Sequence, residues 1–220
     1  MAEHRLLFSK TGRARYISHL DLMRLFQRSF KRAGLLLKHT QGFNPRPSVS
    51  IALPLSVGVD SVCELLDFDL DGETVDCEEI KVRLNNALVD GVKVISVYTG
   101  GRKLRELSLL SCQVNLEYDN GVDEKCVSAI QDMFSQASLI VPKKTKSGVQ
   151  DQDIISMIRK IQVVAGEKVV TLNALSCCQN PSLNPQQLVS AISLHLPQYA
   201  PDFAKCSRLE LYDTKETIFR

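Results

Sequence analysis

Three polar groupings in this 220-residue chain have the residue types and spacing to do chemistry. Ser18-His19-Leu20-Asp21 sets a hydroxyl, an imidazole and a carboxylate close together, the groups that nucleophilic or general acid–base hydrolysis uses. Asp151-Gln152-Asp153 follows the basic stretch Lys143-Lys-Thr-Lys-Ser-Gly148, placing carboxylates beside a cationic loop. Arg24, Arg28 and Lys31/Arg32 recur at helical spacing, which aligns them as contacts for phosphates.

The first grouping has a plainer explanation. Ser18 with Asp21 three residues later is a capping-box pattern, so both are accounted for by a helix start. His19 then falls in the first helical turn, where the helix dipole disfavours a protonated imidazole. A neutral base or a hydrogen-bond donor to phosphate remains open to it, and His39, after the helix, could join it. The lysines of Lys143–Gly148 read either as a solvated hairpin loop or as a second phosphate-binding arm. Catalysis, if the chain performs any, is expected of His19, Asp151 or Asp153.

The basic grouping is the strongest. Ten of the chain's 27 Lys and Arg lie in its first 47 residues, against only Glu3 and Asp21 of its 25 acids. The remainder carries 17 bases and 23 acids, so a formal charge of +2 conceals a polarised molecule. Such an end favours a polyanionic partner, nucleic acid before a membrane surface. Like charges at i,i+4 also destabilise an isolated helix by about a few tenths of a kcal/mol each. Gly42-Phe-Asn-Pro-Arg-Pro47 adds a stiff loop, because Pro45 and Pro47 restrict themselves and the residues before them. Arg46 on such an arm suits bidentate phosphate contact, and Phe43 either stacks on a base or anchors the loop in the core. The expected polyanion contacts are Lys10, Arg13, Arg15, Arg24, Arg28, Arg32, Phe43 and Arg46.

These residues need a scaffold. Arg5–Ser9 alternates as a strand, and Lys10-Thr-Gly-Arg13 reads as a turn. A helix capped by Ser18 runs to Ala33 and stops at Gly34, burying Leu22, Leu25/Phe26, Ser29/Phe30 and Ala33. Ser48–Leu53 and Glu64–Leu70 read as strands, Asp76–Leu88 as a second amphipathic helix, and Val92–Tyr98 as a β-branched strand after Gly91. The order is βαββαβ. After a linker at Thr99–Lys103 it recurs less regularly. Cys112–Tyr118 is a strand and Asp123–Gln136 a helix. Leu139–Lys143 and a segment within Ile154–Val164 are extended candidates, although Ile154–Ile161 fits either helix or strand. Strand Lys168–Leu175, a helix from Asn184-Pro185 to Leu194 and strand Ser207–Tyr212 close the chain. The expected fold is α+β, with two tandem ferredoxin-like (βαββαβ) halves of antiparallel sheet, residues 1–100 and 101–220.

Composition narrows the classes further. The seven cysteines show no C-x-x-C spacing and no C-x-x-x-C-x-x-C run. Adjacent Cys177 and Cys178 are poorly placed to chelate one metal. They are expected to be small apolar core residues, with no metal, no cluster, no cofactor and no disulfide framework. No apolar run approaches the roughly 18–20 residues of a membrane span, and the N-terminus lacks a secretory h-region. A cytoplasmic location without membrane contact is expected.

The segments Phe8-Ser-Lys-Thr-Gly-Arg-Ala-Arg-Tyr-Ile-Ser-His-Leu-Asp-Leu-Met-Arg24, Arg32-Ala-Gly34, Gly42-Phe-Asn-Pro-Arg-Pro47 and Pro54-Leu-Ser-Val-Gly-Val59 carry a resemblance. Together they resemble the bacterial radical-SAM-linked family, a domain of unknown function fused to, or encoded beside, a radical SAM enzyme. The resemblance implies a stand-alone accessory protein with a radical SAM partner and supplies no catalytic residues. The leading expectation is an accessory protein that binds RNA or another polyanion for that partner. An RNA-modifying or RNA-cleaving enzyme and a protein-interaction module without RNA binding are the alternatives.

Overall fold

The computed structural model describes residues 3–72, 74–145 and 148–220. The fold is α+β, with four α-helices among the described residues and antiparallel strand pairing throughout the pairs given below. It divides into two compact units, Met1–Glu106 with Phe219–Arg220, and Leu107–Ile218.

In the first unit, β1 (His4–Lys10), α1 (His19–Arg32), β2 (Val49–Ile51), β3 (Asp60–Phe68), α2 (Cys77–Ala87) and β4 (Val92–Thr99) follow one another. The strands pair in the order β4-β1-β3-β2. Leu6 and Phe8 of β1 and Leu66 and Phe68 of β3 meet Leu22, Phe26 and Phe30 of α1 and Ile80 and Leu84 of α2 in the core. Phe8 meets Phe26 edge-on at 4.8 Å between ring centroids, and Phe30 lies 4.9 Å from Phe68.

Local chemistry sets the ends of these helices. Ser18 accepts from the Asp21 N–H at 3.2 Å and donates its hydroxyl to the Asp21 carboxylate at 2.7 Å, so one acid satisfies the cap and suits the positive end of α1. Gly34, at φ +69°, ends α1, with the Leu35 N–H returning to the Phe30 carbonyl. Asp76 caps α2 by accepting from Glu78 and Glu79. Gly91 does more than stop a helix. At φ +84°, a Cβ there would lie 2.5 Å from the Thr11 carbonyl oxygen, and the Thr11 N–H donates to the Gly91 carbonyl at 2.8 Å. Only glycine lets β4 start this close to the turn that precedes α1.

In the second unit, β5 (Leu109–Glu117) leads to α3 (Glu124–Phe134). A hairpin follows, β6 (Ile140–Thr145) and β7 (Gly148–Asp153), then β8 (Ile158–Ala165), β9 (Val169–Cys177), α4 (Gln186–His195) and β10 (Phe203–Tyr212). The sheet order is β10-β5-β9-β8. Burial alternates residue by residue along β5 and β9, as a sheet covered on one face requires. Asp123 caps α3 through the Cys126 N–H at 2.7 Å, and the Asn184 side chain accepts from Gln186 at the start of α4.

The segment Leu139–Lys143 is extended as expected: Ile140 onward is β6, whose backbone groups, among the described residues, pair with β7. One expectation for this region is corrected. Strand pairing extends through Lys143 to Thr145, where a loop was expected, while Lys146 and Ser147 lie outside the described residues. Ile154–Ile161 takes both of its alternatives in part: a 3-10 turn at Ile155–Met157, then β8 from Ile158. Among the described residues no helix is long and apolar enough to cross a membrane.

Candidate nucleic-acid interface

α1 presents two faces with different chemistry. Leu22, Phe26, Ser29 and Phe30 are buried, while Leu20, Arg24, Arg28, Lys31 and Arg32 are exposed. Successive arginines four residues apart stand about 6 Å apart along the axis, close to the step between phosphates on one strand. Helix α2 differs. Its Lys81 pairs with Glu78 and its Arg83 with Glu79, so its surface charge is compensated within the helix.

The expected contacts are not equivalent. Arg24 pairs with Asp21 at 3.1 Å, both side chains being well exposed. The Ser18 hydroxyl and Arg24 hold the Asp21 carboxyl below its usual range. Arg32 donates to the Ala87 carbonyl and, at 3.1 Å, to Ser29 Oγ, which itself donates to Ala87 at 3.2 Å. It therefore ties α1 to the last turn of α2, although its surface remains exposed. Arg13, Arg28, Lys31 and the Arg46 guanidinium are exposed and have no ion pair or side-chain hydrogen bond among the described residues.

Lys10 is a correction. It is 1 % exposed, and its ammonium donates to the Arg15 carbonyl at 3.1 Å. Burial pushes its pKa below the ordinary lysine value, against the opposing pull of Glu64 and Asp60. It is an internal cation that no external phosphate reaches. Arg15 is also engaged: its guanidinium lies 3.5 Å from the Asp60 carboxylate and over the Tyr16 ring at 5.0 Å from the centroid. Sequence reasoning missed Asp60 and Glu64. Their signal is faint: they are two of the three carboxylates in β3, with Asp67 the third.

The loop from His39 to Pro47 is closed at its neck. The Thr40 N–H donates to the Arg46 carbonyl at 2.8 Å, the Arg46 N–H to Thr40 Oγ1 at 3.0 Å, and Ser48 to the Lys38 carbonyl at 2.7 Å. Residues 41–46 are all exposed, and Phe43 is fully so. The core-anchor alternative for Phe43 is thereby removed.

The candidate catalytic groups do not assemble. His19 begins α1, whereas His39 follows its other end, about 20 Å away along a helix of 14 residues. Asp153 Oδ1 accepts from Leu139 and Ile155 N–H groups, each at 3.0 Å. The Leu139 bond, with the Ser138 hydroxyl and the Ile155 N–H, holds this carboxyl below its ordinary range. That describes an anionic cap for the turn after β7. Asp151 is exposed on β7 opposite Pro142, and Lys143 donates to the Ser182 carbonyl at 3.2 Å. Among the described residues no three His, Cys, Asp or Glu side chains cluster to hold a metal ion. Burial pushes the thiols of Cys112 and Cys178 up to about 12 and that of Cys206 to about 11, leaving them protonated and unreactive at neutral pH.

Over residues 4–185 the chain matches the profile of a family described as an uncharacterized protein conserved in bacteria (DUF2344). The chain belongs to that family. The match takes in α1, the 39–47 loop and the hairpin, and ends at Pro185, just before α4. No curated protein matches the chain. Among solved structures, a chain in the crystal structure of a Cbf5-Nop10-Gar1 complex matches with a TM-score of 0.49 at 10% identity. That alignment covers 96% of this chain and 49% of the other, so this chain spans about half its length. An unknown protein from Galdieria sulphuraria matches with a TM-score of 0.28 at 12% identity, over 94% of this chain and 98% of that one. Likenesses this distant carry no functional argument.

Proposed function

We propose that this chain is an accessory protein, working in the cytoplasm beside a radical SAM enzyme, that binds RNA or another polyanion on its first unit. The observation that carries the binding is the face of α1 on which Arg24, Arg28 and Lys31 are exposed together, with Arg13 before the helix and Arg46 after it. A solvated helix face is ordinarily charge-balanced, as α2 is; α1 has four basic residues and one acid. Phosphate contacts of this kind supply affinity without sequence selection. The enzyme partner is inferred from the resemblance carried by the Phe8–Arg24 and Gly42–Pro47 segments. The strand order of each unit supports a pair of ferredoxin-like halves, the second interrupted by the β6-β7 hairpin. His19, Asp151 and Asp153 lend no support to a catalytic role, since they form no common site.

Fluorescence anisotropy with bulk tRNA across a salt series tests the binding. Micromolar or tighter binding with a steep salt slope, flattened in Arg24→Ala/Arg28→Ala, is expected. Absence of binding at low salt removes nucleic acid from the account. Affinity capture from native bacterial lysate should return a radical SAM enzyme, and repeated failure to do so removes the partner.

A further inference from the structure

The loop that carries Arg46 also carries a fully exposed aromatic ring. Phe43 is fully exposed at the outer part of a loop whose neck is fixed by backbone and threonine hydrogen bonds. Tyr16 is also largely exposed, with the Arg15 guanidinium over its ring. The two rings stand at opposite ends of α1. Tyr16 precedes its Ser18 cap, near Gly58, whose N–H donates to the Arg15 carbonyl; the loop neck lies where Lys38 donates to the Asp69 carbonyl, just past β3. Between them runs the basic face of the helix, about 20 Å long.

A base-paired A-form helix shows a protein its phosphates and 2′-hydroxyls and keeps the faces of its bases stacked inside. Rings held in solvent gain nothing from such a ligand. Unpaired bases offer a π-face to any aromatic side chain, whatever the sequence, while a basic track follows the backbone. Resting on the RNA-binding reading above, we infer that the ligand of this face is single-stranded RNA, with Phe43 stacking on an unpaired base while Arg24, Arg28 and Arg46 hold the phosphates.

The test uses the full chain and two labelled probes: a non-self-complementary RNA strand of about 12 nucleotides, and the same strand annealed to its complement. The single strand should bind about fivefold or more tighter than the duplex. Phe43→Ala should weaken single-strand binding by about fivefold or more without changing the salt slope, and Phe43→Trp should retain it. Arg24→Ala/Arg28→Ala should instead lower that slope by about 1.4. Because Phe43 touches no core, its substitution leaves the fold intact. Equal binding of strand and duplex, or wild-type behaviour of Phe43→Ala, overturns this inference and leaves RNA binding standing. Binding to neither probe removes RNA from the proposed function and overturns this inference with it. A Phe43→Ala chain that keeps RNA but loses its enzyme partner assigns the ring to a protein contact, which also overturns it.

Discussion

The Lys10 ammonium, closed off inside the first unit, donates to the Arg15 carbonyl oxygen at 3.1 Å. That bond holds the Gly12–Tyr16 turn against the end of β1, and so sets where Arg13 and Tyr16 emerge beside α1. A charge buried to 1 % exposure needs compensation, and Glu64 and Asp60 offset part of the cost of burial without outweighing it.

Removing only the cation should therefore be costly. Lys10→Met leaves the Glu64 carboxylate, itself 1 % exposed, without that positive neighbour, and about 3 kcal/mol of stability should be lost. Lys10→Met/Glu64→Leu should recover most of it, since an apolar pair of similar volume replaces the ions. Urea denaturation of the wild type and both variants gives the comparison. A single variant as stable as wild type would show that the pair contributes nothing. Burial sets the folded pKa of Lys10 below 10.5. Its charged form is thus a burden at neutral pH, relieved as pH rises through that lowered value.

Two glycines separate conformational strain from collision. At Gly34 (φ +69°) a Cβ meets nothing within 4 Å, whereas at Gly91 (φ +84°) it meets Thr11 O at 2.5 Å and Ala14 Cβ at 2.9 Å. Gly34→Ala should cost about 1–2 kcal/mol, the left-handed penalty alone. Gly91→Ala should cost clearly more, because the backbone before α1 must move. Thermal unfolding of the pair decides it, and equal losses would mean the contact relaxes freely.

Asp153 makes the acid limb readable. Its folded pKa lies below the ordinary 3.8, so it contributes stability in full above that value and loses it as pH falls through the folded one. Asp153→Asn should flatten the decline in urea midpoint below about pH 4. A wild-type decline in the variant would place the acid sensitivity in other carboxylates.

What was legible in the sequence was local. Ser18 with Asp21, Asp76 and Gly34 act within a few residues, and each works as its type and spacing imply. Lys10 was not legible, because a lysine next to a turn reads as exposed unless its partners on β3 are known. Asp153 was visible as a carboxylate, yet its two acceptor bonds depend on how the hairpin returns beside Leu139. A hairpin was among the readings of Lys143–Gly148, but that its strands pair with each other from Ile140 to Asp153 was not, since that pairing is not written in the composition of Ile140–Thr145. The basic face was legible as a charge pattern, but its division into engaged and available arginines was not.

That division gives the sharpest functional prediction. Arg28 and Arg32 sit four residues apart on α1 with the same charge, and in RNA binding read from sequence they are interchangeable. In the fold they are not: Arg32 donates to the Ala87 carbonyl at the end of α2, while Arg28 has no such bond among the described residues. Arg28→Ala should leave the unfolding midpoint unchanged and lower the single-strand salt slope by about 0.7, one phosphate contact. Arg32→Ala should instead cost about 1 kcal/mol of stability, because Ala87 loses a charged donor and Ser29 must cap it alone. Its effect on the salt slope should be smaller than that of Arg28→Ala. Paired denaturation and anisotropy on the two variants separate these roles. If Arg32→Ala changes binding as much as Arg28→Ala and stability not at all, the tie to α2 does not hold in solution and Arg32 belongs to the binding face.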